Sequence, residues 1–353
     1  MKILMAYPSQ NEANPFVKSL TEGLISVGCP VEIGLDQFWN HYEDYDLIHF
    51  NWPNSIFKDW QPTERGVELL KKILADAKSK NIKIVYTRHN EKPHYENNPL
   101  ISLCYELIEN HANVIVHLGD YKFEELKLQY PHAEHYVIPH HLSFKIQKEI
   151  SKQEARKKLG IPDNKLVILC FGAFRNRDEA KLVLDSFEAL EIKDKFLLVP
   201  HLAKWFGLKT SAFPLSPAWF KNKKLKSALL AENKLVYDKT IPDSLLPSFF
   251  YASDLVLIQR TNILNSGNLP LAFHFRKMVI GPNTGNVGEI LKKSDNLTFD
   301  IKDIPNSLIE KIKESSGLDL KDIGQSNYDY AIRHWNPDTI ALEYQKIYVS
   351  LIS

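Results

Sequence analysis

Short apolar runs alternate with longer amphipathic ones along nearly the whole chain, and that rhythm sets the architecture. Residues 2–6 (KILMA) are the first run, followed by a polar loop and an amphipathic stretch at 16–27 that Gly28 closes as a helix stop. Runs at 31–33, 47–50, 84–86, 114–116 and 136–138 read as strands. Between them, Val67, Leu69, Leu70, Ile73, Leu74 and Ala77 recur at helical spacing, and 100–109 and 122–129 are further helices. The second half repeats the pattern, with strands at 166–170, 196–199, 235–237, 255–258 and 278–280. Helices are expected there at 181–190, 243–251 and 269–275, another after Glu289, and three more to the end, the last two meeting at a bend forced by Asn336–Pro337. Strands alternating with helices imply parallel sheets covered on both faces. The rhythm breaks in a Lys-rich passage between His140 and Leu159, which places a domain boundary near its start. The expected division is 1–143 with a C-terminal helix at 337–353 crossing back to it, and 144–336 as the second domain.

Bulk properties narrow the class. A chain of 353 residues suits two domains. A net charge of +1 gives no electrostatic case for nucleic acid. Cys29, Cys104 and Cys170 are an odd, widely spaced set, best read as small core residues. The N-terminal run is too short for a signal-peptide core, and no later run approaches the ~20 apolar residues of a membrane span. A cytoplasmic protein is expected. GxGxxG, the phosphate-binding P-loop, HExxH and Cys/His metal spacings are all absent from the sequence, which moves dehydrogenases, P-loop kinases and zinc hydrolases out of the front rank. Neither a metal nor a cofactor is expected.

The stretch from Tyr251 to Leu291 carries the clearest candidate chemistry. It reads strand, polar turn, helix, strand, polar turn, helix, and both turns fall at carboxyl ends of strands, where open α/β sheets bind ligands. Asn265, Ser266, Gly267 and Asn268 would present main-chain N–H groups at a helix start, with Arg260 just upstream, a setting that suits an organic diphosphate. In the first half, Asn51 and Trp52 and the loop Asn11 to Asn14 (Glu12 included) lie at strand ends and are candidate acceptor contacts, though ordinary loop roles account for them equally well. Lys71, Lys72, Lys78 and Lys80 beside an apolar helix face, and the Trp- and Lys-bearing segment 201–230, suit either an inner-membrane face or plain solvated surface.

Four segments in order resemble the group 1 (family 4) glycosyltransferases: "YTRHNEKPH", "YVIPHHLSF", "ARKKLGIPDNKLVILCFGAFRNRDEAKLVLDSFEAL", and the segment from "IPDSLLPSFFYASD" through "NSG" to "GEIL". The resemblance implies a GT-B fold, two Rossmann-like parallel-sheet domains facing across a cleft. It further implies transfer of a sugar, with retention, from a nucleotide-diphosphate sugar to a glycan or polyprenyl-linked acceptor, in surface polysaccharide synthesis at the inner face of the membrane. His89 then corresponds to a strand-end residue touching the donor sugar near its reacting carbon, Arg175 and Arg177 to cations at the diphosphate, and Glu289 to a contact with the sugar hydroxyls. His140 falls with the donor contacts and His94 with the acceptor contacts. Each has a bland counterpart: a hydrogen-bonded structural histidine, a solvated arginine, a carboxylate favoured by a helix start. Charge building on a departing diphosphate needs such stabilisation, and guanidinium suits phosphate.

The chain departs from the family in two places. Paired glutamates usually flank the "NSG" position, yet no Asp or Glu occurs between Arg260 and Gly288, the corresponding positions lying near Leu264 and Leu271–Ala272. The usual Lys-Gly after the arginine is here Asp178–Glu179. These departures keep two other readings in view, a GT-B nucleotide-sugar binding protein without catalysis and a GT-B epimerase.

Overall fold

The computed structural model describes residues 1–9, 14–91, 98–144, 149–202, 233–236, 241–242 and 244–353. Contacts divide the chain into two compact units, Met1–Phe144 with Arg333–Ser353, and Lys145–Ile332.

The first unit runs β1 (Ile3–Met5), α1 (Pro15–Ser26), β2 (Val31–Ile33), α2 (Leu35–Asn40), β3 (Leu47–Phe50), α3 (Glu64–Ser79), β4 (Lys83–Arg88), α4 (Pro99–His111), β5 (Val114–His117), α5 (Phe123–Gln129) and β6 (Glu134–Val137). Its six strands are parallel in the order β2-β1-β3-β4-β5-β6, so the winding reverses between β1 and β3. Alternate residues feed opposite faces, as strand geometry requires. Leu4, Ile48, Ile84 and Tyr86 pack with Leu70 and Leu74 of α3 and Ile101 and Ile108 of α4. Ile3, Leu47, Val85 and Val116 pack with Phe16 and Leu20 of α1. Residues buried on both faces explain why these strands read as continuous apolar runs. The pattern gave no warning of α2, a six-residue helix holding the single buried residue Phe38.

The C-terminal helix of the chain, Pro337–Ile352, belongs to this unit and covers the α1 face with Ile340, Tyr344 and Tyr348. It is tied to the sheet by a buried polar chain. His49 Nδ1 lies 2.6 Å from Tyr348 Oη and its Nε2 2.8 Å from Thr87 Oγ1, which lies 3.0 Å from Tyr344 Oη. Complete burial pushes the His49 pKa down to about 3. An unfolded chain returns that imidazole to its ordinary value near 6.5. Above that value both states are neutral there, and below it only the unfolded state takes the proton, so stability falls as pH drops from about 7 towards 3. The parent protein is therefore expected to lose about 2 kcal/mol more between pH 7 and pH 5 than His49→Gln. Urea denaturation of both at the two pH values measures it, and equal losses would exclude His49 as the titrating group.

The second unit runs α6 (Lys152–Leu159), β7 (Leu166–Leu169), α7 (Arg177–Ala189), β8 (Lys195–Leu198), β9 (Lys234–Leu235), α8 (Leu246–Ala252), β10 (Leu255–Leu257), α9 (Asn268–His274), β11 (Met278–Pro282), α10 (Gly285–Lys293), β12 (Leu297–Phe299), α11 (Asn306–Ser315) and α12 (Leu320–His334), which ends just past the unit boundary. Its strands are also parallel, in the order β12-β11-β10-β7-β8-β9. This is the doubly-wound order that reverses between β7 and β10. Helix α7 begins a turn before the apolar periodicity of 181–190 suggests. The reason is a cap: Asn176 Oδ1 accepts from Glu179 N at 2.8 Å and starts the helix among polar residues. Helix α8 is close to the expected 243–251, of which Asp243 lies outside the described residues, as do residues 203–230 of the segment 201–230.

Asp254 of the "ASD" triplet sits before β10, at the opposite end of the strand from the polar turn. Its Oδ2 accepts from Arg156 Nη2 at 2.8 Å and from Val167 N at 2.7 Å, and Lys152 reaches its other oxygen. Arg156 is 1% exposed and also donates from Nε to Ala252 O at 3.0 Å. Asp254 thus joins α6, α8 and β7, a structural anchor.

Candidate active site

In the second unit the carboxyl ends of β7, β10 and β11 converge where the strand order reverses, the position at which open α/β sheets form a ligand crevice. Gln259, two residues past β10, is 1% exposed and hydrogen-bonded through both ends of its amide. Its Nε2 donates to Gly172 O at 3.2 Å and Ala173 O at 3.3 Å, while Oε1 accepts from Cys170 Sγ at 3.3 Å. Arg260 Nη2 donates to Ala173 O at 2.9 Å. Two neighbouring side chains therefore hold the loop after β7 by its carbonyls. A Cβ on Gly172 would lie 2.8 Å from Asn268 Nδ2 and 3.2 Å from Gln259 Oε1, so a larger residue there would have to displace these two side chains.

The acidic pair in place of Lys-Gly has a local role. Glu179 Oε2 accepts from Arg175 N at 2.8 Å while its own N–H goes to Asn176, a near-reciprocal cap at the start of α7. Glu179 is buried by this and is spent on the backbone; Asp178 is exposed. Arg175 is partly exposed just before the cap, and Arg177 is exposed as the first residue of α7.

Turn 261–267 is clasped by the turn after β11. Thr284 Oγ1 donates to Thr261 O at 3.2 Å, and Asn286 N donates to Leu264 O at 2.8 Å. Asn286 Nδ2 donates to Asn265 Oδ1 at 2.8 Å. Gly285 between them has φ +60°, and a Cβ there would stand 2.2 Å from Ile263 O. Beyond the clasp, Asn268 N donates to Ser266 Oγ at 3.3 Å and Leu269 N to Ser266 O at 3.1 Å, while Pro270 has no N–H. The expected row of main-chain donors is thus narrower than the sequence suggests. Within that row, Ser266 N–H and Gly267 N–H have no acceptor among the described residues, and Gly267 is exposed. Glu289 follows Gly285 by four residues on α10, on the helix face that meets this turn, and is partly exposed. Leu264 and Ala272, near the positions of the family's glutamates, are buried.

In the first unit, strand ends bring together His89, Asn51, Trp52 and His140. His89 Nε2 donates to Asn51 Oδ1 at 2.9 Å, since Asn51 Nδ2 points to Met5 Sδ at 3.0 Å. The His89 ring stacks on Trp52 at 3.9 Å and meets Phe16 edge-on at 4.6 Å. His140 also packs edge-on against Phe16, at 4.9 Å, so this residue assigned to the donor groups with His89 in the first unit. Its Nδ1–H donates to His141 O at 2.8 Å, and burial pushes its pKa down to about 4. The buried His141 donates from Nε2 to Phe16 O at 3.1 Å, and burial pushes its pKa down to about 3. Trp52 further adjoins Tyr7 at 5.7 Å and Trp60 at 6.2 Å. His94 and Glu12 lie outside the described residues, and Asn14 caps α1 through Phe16 N at 2.9 Å.

Sequence reasoning passed over Gln259, Asn286 and His141. Gln259 had one visible signal, an amide closing an apolar strand run beside an arginine. Nothing in the sequence distinguished Asn286 from any other turn asparagine.

No protein-family model and no curated protein matches the sequence. Solved structures do match its fold over essentially the full length. A sucrose-phosphate synthase from Thermosynechococcus elongatus superposes with TM-score 0.70 at 14% identity, over 99% of this chain and 98% of that one. HepE of Anabaena in complex with UDP gives TM-score 0.65 at 15% identity, over 99% and 100%. The catalytic domain of starch synthase IV from Arabidopsis thaliana, bound to ADP and acarbose, gives 0.58 at 11%, over 98% and 78%. With two six-stranded parallel sheets and a C-terminal helix returned to the first unit, the chain has the GT-B fold of these glycosyltransferases.

Proposed function

We propose that the protein is a glycosyltransferase that moves a sugar from a nucleoside-diphosphate sugar to a glycan or lipid-linked acceptor. The observation that carries the reading is the convergence of three strand-end turns around Gly172, Arg260 and the exposed Gly267 turn, at the reversal of the second sheet. That arrangement offers guanidinium groups and main-chain donors to a diphosphate whose negative charge grows as the glycosidic bond breaks. HepE, of the same fold, has been solved with UDP, with UDP and glucose, and with UDP-glucose, which supports a donor of that class here. Retention of configuration, independence from metal and a role in surface polysaccharide synthesis extend the same reading through the family resemblance.

A membrane-bound acceptor receives less support from the lysines of α3 and its C-cap, Lys80. Lys71 pairs with Glu68 at 2.7 Å, and Lys80 with Glu43 at 2.7 Å and Asp76 at 2.8 Å, so half of that basic face is neutralised. No helix among the described residues is long and apolar enough to cross a membrane.

The apolar Leu264 and Ala272 favour one alternative, a protein that binds nucleotide sugars without transferring them. Nucleotide binding and donor hydrolysis separate the two. Stabilisation by a nucleoside diphosphate in thermal shift is expected for both, and slow release of sugar from the matching donor only for the enzyme. Arg260→Ala is expected to weaken nucleoside-diphosphate binding by about 1.5–3 kcal/mol, the worth of a charge-assisted hydrogen bond. Calorimetric titration reads it, and an unchanged Kd removes Arg260 from the site.

A further inference from the structure

Asn286 makes two contacts to a single neighbouring turn, and both go to residues beside the exposed Gly267. The main-chain N–H donates to Leu264 O at 2.8 Å, and the side-chain Nδ2 donates to Asn265 Oδ1 at 2.8 Å. Asn286 is 3% exposed and Asn265 partly exposed, so the side-chain bond between them is largely sheltered from water. The side chain starts from the second residue of α10, and Gly285 before it fits against Ile263 O only because it lacks a Cβ. Thr284 adds a third bond, from Oγ1 to Thr261 O at 3.2 Å. The amide of Asn286 therefore commits the oxygen of Asn265 and sets which way that second amide faces.

We propose that Asn286 is a positioning residue for the donor's diphosphate: it locks turn 261–267, and the amide of Asn265 in particular, in the conformation that receives phosphate. This rests on the reading of that turn as the diphosphate site. The physical case is preorganisation. A turn that must order itself around an anion loses binding energy to conformational entropy, whereas one held by three hydrogen bonds from α10 and its cap has been ordered during folding. The same clasp joins the turn to the base of α10, the helix that carries Glu289.

Isothermal titration with a nucleoside diphosphate and with the corresponding free nucleoside tests this on the parent protein, Asn286→Ala and Thr284→Val. The parent protein is expected to bind the diphosphate. Asn286→Ala is expected to raise the Kd for the diphosphate about tenfold and leave that for the nucleoside within twofold, the selectivity that a general loss of structure does not produce. Thr284→Val, which removes a clasp bond without touching Asn265, gives the same signature at smaller size, and carries the test if Asn286→Ala does not fold. Equal weakening of nucleoside and diphosphate, or no weakening of either, overturns the positioning role. Failure of the parent protein to bind any nucleoside diphosphate overturns the underlying site assignment instead.

Discussion

His89→Ala is expected to lower kcat about 10³-fold while leaving nucleoside-diphosphate affinity within a factor of two to three. The size is that of removing a group that acts at the reacting centre, the role that the family resemblance implies for His89. The selectivity follows from where the groups lie. Gly172, Arg175, Arg260 and Asn265–Asn268 all belong to the second unit, whereas His89 directly follows β4 in the first. Deleting the imidazole also has a local cost, because Asn51 Oδ1 loses its donor and Trp52 loses the ring stacked on it at 3.9 Å. A buried acceptor left without its hydrogen bond costs about 1–3 kcal/mol, so assays belong well below the variant's Tm. His89→Gln, which can keep a donor towards Asn51, separates the roles. If it restores stability and not turnover, the imidazole acts on substrate; if Gln restores both, His89 is only a brace for Asn51. Normal turnover of folded His89→Ala removes the residue from the chemistry altogether.

The legibility of this molecule follows burial. Strands such as Leu47–Phe50 and Leu255–Leu257 are covered on both faces, so nearly every position is apolar and the run announced itself, His49 being the exception that its hydrogen bonds to Tyr348 and Thr87 accommodate. Helix α3 announced itself through Val67, Leu70, Ile73, Leu74 and Ala77, all buried on one side. Helix α7 was misjudged at its start because the signal there is a cap made by Asn176 and Glu179, polar residues that periodicity does not count. The candidate site was legible to a lesser degree. Strand-end turns stand out by composition, and they marked 259–267 and 281–288 as well as His89. What composition does not show is which side chains the turns spend on each other. Glu179 looked like an ill-placed acid beside phosphate and is a cap; Asp254 looked like part of a site motif and is an anchor at the far end of its strand. Asn286 looked like filler and holds the turn. Those roles depend on pairings across 4 to 98 positions of chain, which a linear reading does not contain.

The anchor role of Asp254 carries the largest expected stability change. Asp254→Ala removes the partner of a fully buried guanidinium, which then keeps its charge with main-chain carbonyls and no counter-ion. Breaking a buried pair from one side costs about 3–5 kcal/mol, far more than an exposed pair, because the remaining charge stays desolvated. Two further effects act in the same direction. Val167 N–H, inside the sheet, loses its acceptor. Lys277, whose ammonium burial pushes down to about 8, loses the Asp254 charge that opposes that shift, while Arg156 and Lys152 continue to drive it. Urea denaturation at pH 7 measures the total, and a loss below about 1 kcal/mol would show that the pair contributes little. Asp254→Asn retains an acceptor for Val167 and Arg156 and is expected to recover part of the loss; the remainder is the worth of the charge. Arg156→Met together with Asp254→Ala, which leaves no stranded guanidinium, is expected to be more stable than Asp254→Ala alone, since the penalty lies in that unpaired charge and not in the missing attraction.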